Sequence, residues 1–138
     1  MKRIFMAMLF AALLFTGCNK EKKLVESMQG FWEVYQVMTP EGVENREPGQ
    51  IVVVNEHNFY IGSSDGSGKV MVYGVIGYVS NDGKKITASE SVDGLTINFS
   101  LETNGNDQLL ITETIDDMSA TALAKRVPAM EIVMSLPE

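Results

Sequence analysis

Four turn signals, Asn81-Asp82-Gly83, Asp93-Gly94, Asn104-Gly105 and Asp116-Asp117, punctuate the second half of the chain at even intervals. The three that contain glycine tolerate the positive φ that a tight hairpin demands, and with Asp116-Asp117 as the last turn the segments between them run antiparallel to their neighbours. Those segments are Lys85 to Val92, Leu95 to Thr103, Gln108 to Ile115 and Met118 to Val127. Upstream, Phe31 to Met38, Ile51 to Val54, Asn58 to Ile61 and Val70 to Val79 also read as strands. Thr39 to Gly49 is polar with two prolines and reads as a loop; Ser63 to Gly68 reads as a flexible turn. Pro128 stops the eighth strand, and the tail Ala129 to Glu138 alternates Met130, Ile132, Met134 and Leu136, as an extra edge strand or a segment packed across one end would. Eight strands in hairpin succession with no long helix predict an all-β antiparallel up-and-down meander. A meander this long hides its edges best by closing into a barrel.

Ahead of the strands, Met1-Lys2-Arg3 is a basic start, and Ile4 to Phe15 is an unbroken apolar run, too short to span a bilayer and of signal-peptide length. The segment Leu14-Phe15-Thr16-Gly17-Cys18 resembles the lipobox of bacterial lipoproteins, with Phe15 where that family usually has Leu. The resemblance implies that residues 1–17 are removed and that Cys18 is acylated, tethering the protein to a membrane; an ordinary secretory signal with a cysteine near its cut is the alternative. Because Cys18 is the only cysteine, a disulfide role is closed to it. Each buried CH₂ of an acyl chain contributes about 0.8 kcal/mol, so several chains hold a protein on a membrane without a spanning helix. Asn19 after the cysteine, rather than Asp, resembles lipoproteins sent on to an outer membrane, which places the protein in a bacterial cell envelope. Residues 18–23 read as a charged tether and 24–138 as one domain, opening with Leu24, Val25 and Met28 on one side of a single helical turn.

Removing the leader takes away Lys2 and Arg3, leaving 9 of the 11 basic residues against 18 acidic ones. Nucleic acid is therefore not an expected partner, since phosphate binding needs clustered Lys and Arg.

Turn lengths set which side chains face inward. A two-residue turn at Asp93-Gly94 places Val92 opposite Leu95, Glu90 opposite Ile97, Ala88 opposite Phe99 and Ile86 opposite Leu101. The apolar set from Leu95 to Leu101 takes the interior, which carries Glu90 inside. A three-residue loop Asn104-Gly105-Asn106 sets Leu101 against Leu109, Phe99 against Ile111 and Ile97 against Glu113, so the two glutamates flank one isoleucine. Carrying this parity through the other turns brings in Val79, Val75, Tyr73 and Met71, then Ala120, Ala122, Ala124 and Arg126; the first strand contributes Trp32, Val34, Gln36 and Met38. Two carboxylates in an apolar interior cost several kcal/mol if ionised and unpaired. They are then protonated, paired with Arg126, wetted near a mouth or waiting for a ligand, unless a bulge turns one out or both sit at the rim. The three alanines of the last strand leave room for a pocket.

His57 has neither a second His nor a free Cys to join it, so neither a zinc site nor a triad is assembled, and no metal or cofactor is expected. Asp65-Gly66-Ser67-Gly68 is too poor in carboxylates for an EF-hand and lacks the Lys-Ser/Thr ending of a phosphate loop. Glu90 and Glu113 on strands two apart lie roughly 10 Å from each other, wide for an acid and base pair, and an enzyme is not expected.

Gly30-x-Trp32 after a short helical turn, an all-β meander and a late Lys125-Arg126-Val127 together resemble the lipocalin-like (calycin) β-barrel family, particularly its small bacterial lipoprotein members. The resemblance implies an eight-stranded barrel in which Trp32 closes one end and Arg126 packs over it. It also implies a binding module for a small apolar or cationic ligand, for which Gln36, Tyr73, Glu90 and Glu113 are the candidate polar contacts. The alternative is a packed barrel acting as an inhibitor or an envelope accessory subunit through exposed loops such as Ser63 to Lys69. Gly66-Ser67-Gly68-Lys69 resembles the Ser-Gly-rich loop of small periplasmic lysozyme inhibitors, whose typical disulfide this chain lacks.

Overall fold

The computed structural model describes residues 20–105 and 107–134. The expected leader, Cys18 and the last four residues lie outside that range.

Ten strands form one sheet: β1 (Gly30–Thr39), β2 (Gly42–Asn45), β3 (Gln50–Val54), β4 (Asn58–Ser63), β5 (Lys69–Asn81), β6 (Ile86–Val92), β7 (Leu95–Thr103), β8 (Gln108–Ile115), β9 (Met118–Val127) and β10 (Glu131–Met134). Following hydrogen-bonded neighbours, the order β5-β4-β3-β1-β9-β8-β7-β6 returns to β5, which closes an eight-stranded antiparallel barrel. Two strands lie off this ring. The segment expected to be a loop after Thr39 contains β2, which pairs with the second half of β1. The tail supplies β10, which runs parallel to β5 and pairs Ile132 with Val70.

Lys20 to Lys23 are not a free tether. They belong to helix α1 over residues 20–28, more than the single turn expected, and its apolar side chains Leu24, Val25 and Met28 are buried. Lys, Glu and Leu sustain the helix. Gly30, at φ 132°, ends it by turning the chain into β1. The amino-terminal turn docks on the β5–β6 connection: Asn81 donates to the Glu21 carbonyl at 3.0 Å, and the Lys20 stem lies over Gly83.

The main core joins the helix to the inner wall: Met28, Trp32, Val34, Val52, Val54, Phe59, Ile76, Ile86, Leu101 and Leu109 are all fully or nearly fully buried. Each such side chain contributes about 1.5–3 kcal/mol relative to exposure. Phe59 meets Phe99 edge-to-face at 5.5 Å. A second cluster lies on the other face of the wall, where Ile51, Val53 and Val70 are buried with Phe31, Tyr60 and Met130 packed against them. The tail thus covers apolar groups that a strictly alternating strand would leave in water.

The exterior of β5 to β9 carries hydroxyls, one complete rung being Ser80, Thr87, Ser100, Thr112 and Thr121, each a register partner of the next. The hydroxyls of Thr112 and Thr121 are 3.1 Å apart.

Candidate functional site

The two barrel ends differ. At the closed end Trp32 is completely buried and its Nε1 donates to the Met28 carbonyl at 2.8 Å. Arg126, the register partner of Trp32, stacks over the indole with its guanidinium carbon 4.2 Å from the ring centroid. The same guanidinium donates to Gln29 O at 2.8 Å and Ser27 O at 2.7 Å. Three donors from β1 and β9 therefore hold three carbonyls at the end of α1, groups a helix leaves without an internal partner. Gly30, Trp32 and Arg126 thus lie together at this end, where the last two bind the end of α1.

The neighbouring turn is also tied in. Tyr78 donates its hydroxyl to Asn55 O at 2.9 Å, and burial holds that hydroxyl well above its ordinary range. Asp82 accepts from the backbone amides of Lys85 and Lys84, which hold its carboxyl below the usual carboxylate range.

At the open end a cavity of about 230 Å³ enters the barrel. Its deep wall is apolar, with Val34, Val37, Val52, Phe59, Phe99 and Ile111, and the small Ala120 and Ala122 of β9 make the room. Thr39, Arg46, Gln50 and Glu113 supply its polar lining. A second groove of about 360 Å³ runs along the rim past Pro40, Ile115, Asp116 and Met118. Both are lined by Thr39, Glu113 and Ala120, so Glu113 stands on the threshold between them.

Of the four expected ligand contacts, two face the interior and two do not. Glu113 lines the cavity at its exposed rim. Glu90 is half-buried on the inner face of β6 opposite Ile97. Gln36 is turned out by a bulge at Tyr35, which shifts the β1–β9 register between Val34 and Gln36 and sends Val37 inward instead. Gln36 donates to Asn45 Oδ1 at 3.1 Å on the exposed surface, and Met38 is turned out with it. Tyr73 is 56% exposed because a bulge between Tyr78 and Ser80 reverses the face of β5 upstream of it, and Tyr73 is itself the extra residue of a second bulge opposite Ile61/Gly62. The first bulge puts Tyr78 and Ile76 inside in place of Val79 and Val75, and Met71 is exposed as well.

Nor do the glutamates flank one isoleucine. Strand β8 is shifted by two residues from the expected register, pairing Phe99 with Glu113 and Ile97 with Ile115. The faces are unchanged, but Glu90 and Glu113 sit on successive inner rungs, about 12 Å apart along the wall by strand spacing and rise. Arg126 is committed at the opposite end and neutralises neither. Sequence reasoning missed Arg46 and the Val37 wall; the run Val34-Tyr35-Gln36-Val37, with its apolar residues three apart, carried the signal of a bulge.

Among the described residues no group of three His, Cys, Asp or Glu is placed to hold a metal, and no helix is long and apolar enough to cross a membrane. Comparisons of the chain with protein-family models, with curated proteins and with solved structures found no match.

Proposed function

We propose that this chain is a lipid-anchored lipoprotein of the bacterial envelope whose lipocalin-like barrel binds a small apolar or cationic ligand in the cavity at its open end, without catalysis. The single observation that carries this reading is the asymmetry of the barrel: one end is sealed by Trp32, Arg126 and α1, while the other admits an apolar cavity walled by alanines. Ligand sites are typically concave, mostly apolar and furnished with a few polar groups, as here. Helix α1 begins two residues after Cys18, so acylation there puts the sealed end toward the lipid and the open end toward the water.

Native mass spectrometry of the purified protein, with thermal-shift measurements across alkyl amines, alcohols and lipids, tests the proposal. A bound mass or a stabilising shift that Ala122→Phe abolishes is expected. An empty barrel with no shift from any probe overturns it.

The exposed apolar rim favours a second reading, a protein-interaction barrel: Met118 is 72% and Leu95 50% exposed on the tips of the two hairpins beside the cavity. Capture of one envelope protein, lost on Met118→Glu and retained on Ala122→Phe, would select that reading.

A further inference from the structure

We infer, on the basis of the ligand-binding reading above, that the open end selects a cationic amphiphile, its apolar chain in the barrel cavity and its positive group against Glu113. The cavity sets the apolar half of this requirement. The sign of the polar half follows from how charge is distributed over the fold.

From Ile86 to Ala124, the stretch that builds β6, β7, β8 and most of β9, the chain has seven carboxylates and no basic residue. Topology sends five of them, Glu90, Asp93, Glu113, Asp116 and Asp117, to the open end, because both two-residue turns of these hairpins lie there. Lys20, Lys22, Lys23, Lys84, Lys85, Lys125 and Arg126 all lie at the sealed end, on α1, the β5–β6 turn or the end of β9. Two basic residues remain near the open end, each beside a carboxylate that offsets its charge: Arg46, in the cavity wall, lies 3.8 Å from Glu44, and Lys69, at the start of β5, lies 4.0 Å from Glu131. Glu113 makes no salt bridge among the described residues.

A cleft edged by charge of one sign concentrates ions of the other and repels its own. Such a mouth attracts an alkylammonium and resists an alkyl carboxylate of the same length. Glu113 is the residue that converts this field into a contact, since it lines both the interior cavity and the rim groove. Exposed pairs are worth at most about 1 kcal/mol, so the preference attributable to Glu113 is about five-fold in Kd.

Isothermal titration of the full chain held in phosphatidylcholine nanodiscs, with empty nanodiscs as reference, reads this directly with octylammonium, octanol and octanoate. The expected order is octylammonium tighter than octanol by about five-fold, with octanoate weakest and the spread shrinking in high salt. Glu113→Gln is expected to bring the ratio of octylammonium to octanol affinity close to one with the melting temperature unchanged. Equal affinities for the three probes, or octanoate tightest, overturn the inference while leaving a ligand-binding barrel standing. No binding of any probe overturns both.

Discussion

A methyl group on Gly30 would lie 2.9 Å from Nη1 of Arg126, the nitrogen that donates to the Gln29 carbonyl. The glycine is thus fixed twice, by its backbone at φ 132° and by the guanidinium passing over it. This accounts for the Gly-x-Trp spacing in physical terms: the glycine lets β1 leave the helix and makes space for Arg126, and the tryptophan two residues on supplies the ring beneath it.

Gly30→Ala is therefore expected to destabilise the domain by about 2 kcal/mol or more, combining a disfavoured backbone region with displacement of Arg126. Chemical denaturation followed by Trp32 fluorescence checks this. The near-ultraviolet circular dichroism of the single tryptophan should weaken in the folded variant as well.

Arg126→Lys retains the charge and loses the planar fork that reaches two carbonyls while stacking on the indole. A loss of about 1–2 kcal/mol is expected. Hydrogen exchange should show the amides of α1 losing protection ahead of the β7 and β8 amides, because the helix depends on this side chain and those strands do not.

Two glycine substitutions separate backbone strain from crowding. Gly94→Ala, at φ 80° with open space around it, is expected to cost about 1 kcal/mol. Gly62→Ala would set its methyl 2.5 Å from the Met71 carbonyl oxygen, backbone that cannot yield without moving β5, and a larger drop in melting temperature is expected.

The pH dependence at Asp82 has a definite sign. Amides of Lys85 and Lys84 depress its folded pKa, so its contribution is present above the unfolded carboxylate range and is lost as pH falls through the depressed value. Amide exchange at Lys84 and Lys85 should accelerate under acid, and Asp82→Asn should flatten that dependence.

Ala122→Phe fills the cavity from β9. It is expected to leave the melting temperature unchanged or raised while abolishing any thermal shift given by octylammonium or octanol; retention of the shift would place those probes elsewhere.

Most of the barrel was legible in the sequence because turn chemistry is local. Asp93-Gly94, with φ of 51° and 80°, forms the two-residue turn expected of it, and the four pairs from Val92–Leu95 to Ile86–Leu101 follow. The β7–β8 register was not legible. Leu109 and Ile111 alternate on one face, so sliding by two residues changes every partner without exposing an apolar group. Matching Phe99 to Ile111 looks better between two neighbours, yet inner side chains also pack across the barrel. Asn104 donates to Gln108 at 3.0 Å, and Glu113 ends opposite Phe99.

The bulges were hidden for a related reason. Val70 to Val79 is apolar on both faces, and that pattern carries no parity, so nothing in it marks where β5 changes side. At Tyr35 the extra residue is visible only as a break in alternation. The candidate site suffers more than the fold from such errors, since one inserted residue reverses a face: it moved Gln36 and Tyr73 out of the interior while leaving strand order intact.

The pairing of β1 with β9 has a consequence for how the molecule is made. The first and last staves of the ring are sewn to each other, and Arg126 reaches back across the seam to residues 27 and 29. No growing fragment holds both halves of that join until nearly the whole polypeptide is available, so ring closure waits on β9. A chain with this layout keeps its cylinder unjoined until its far end is present.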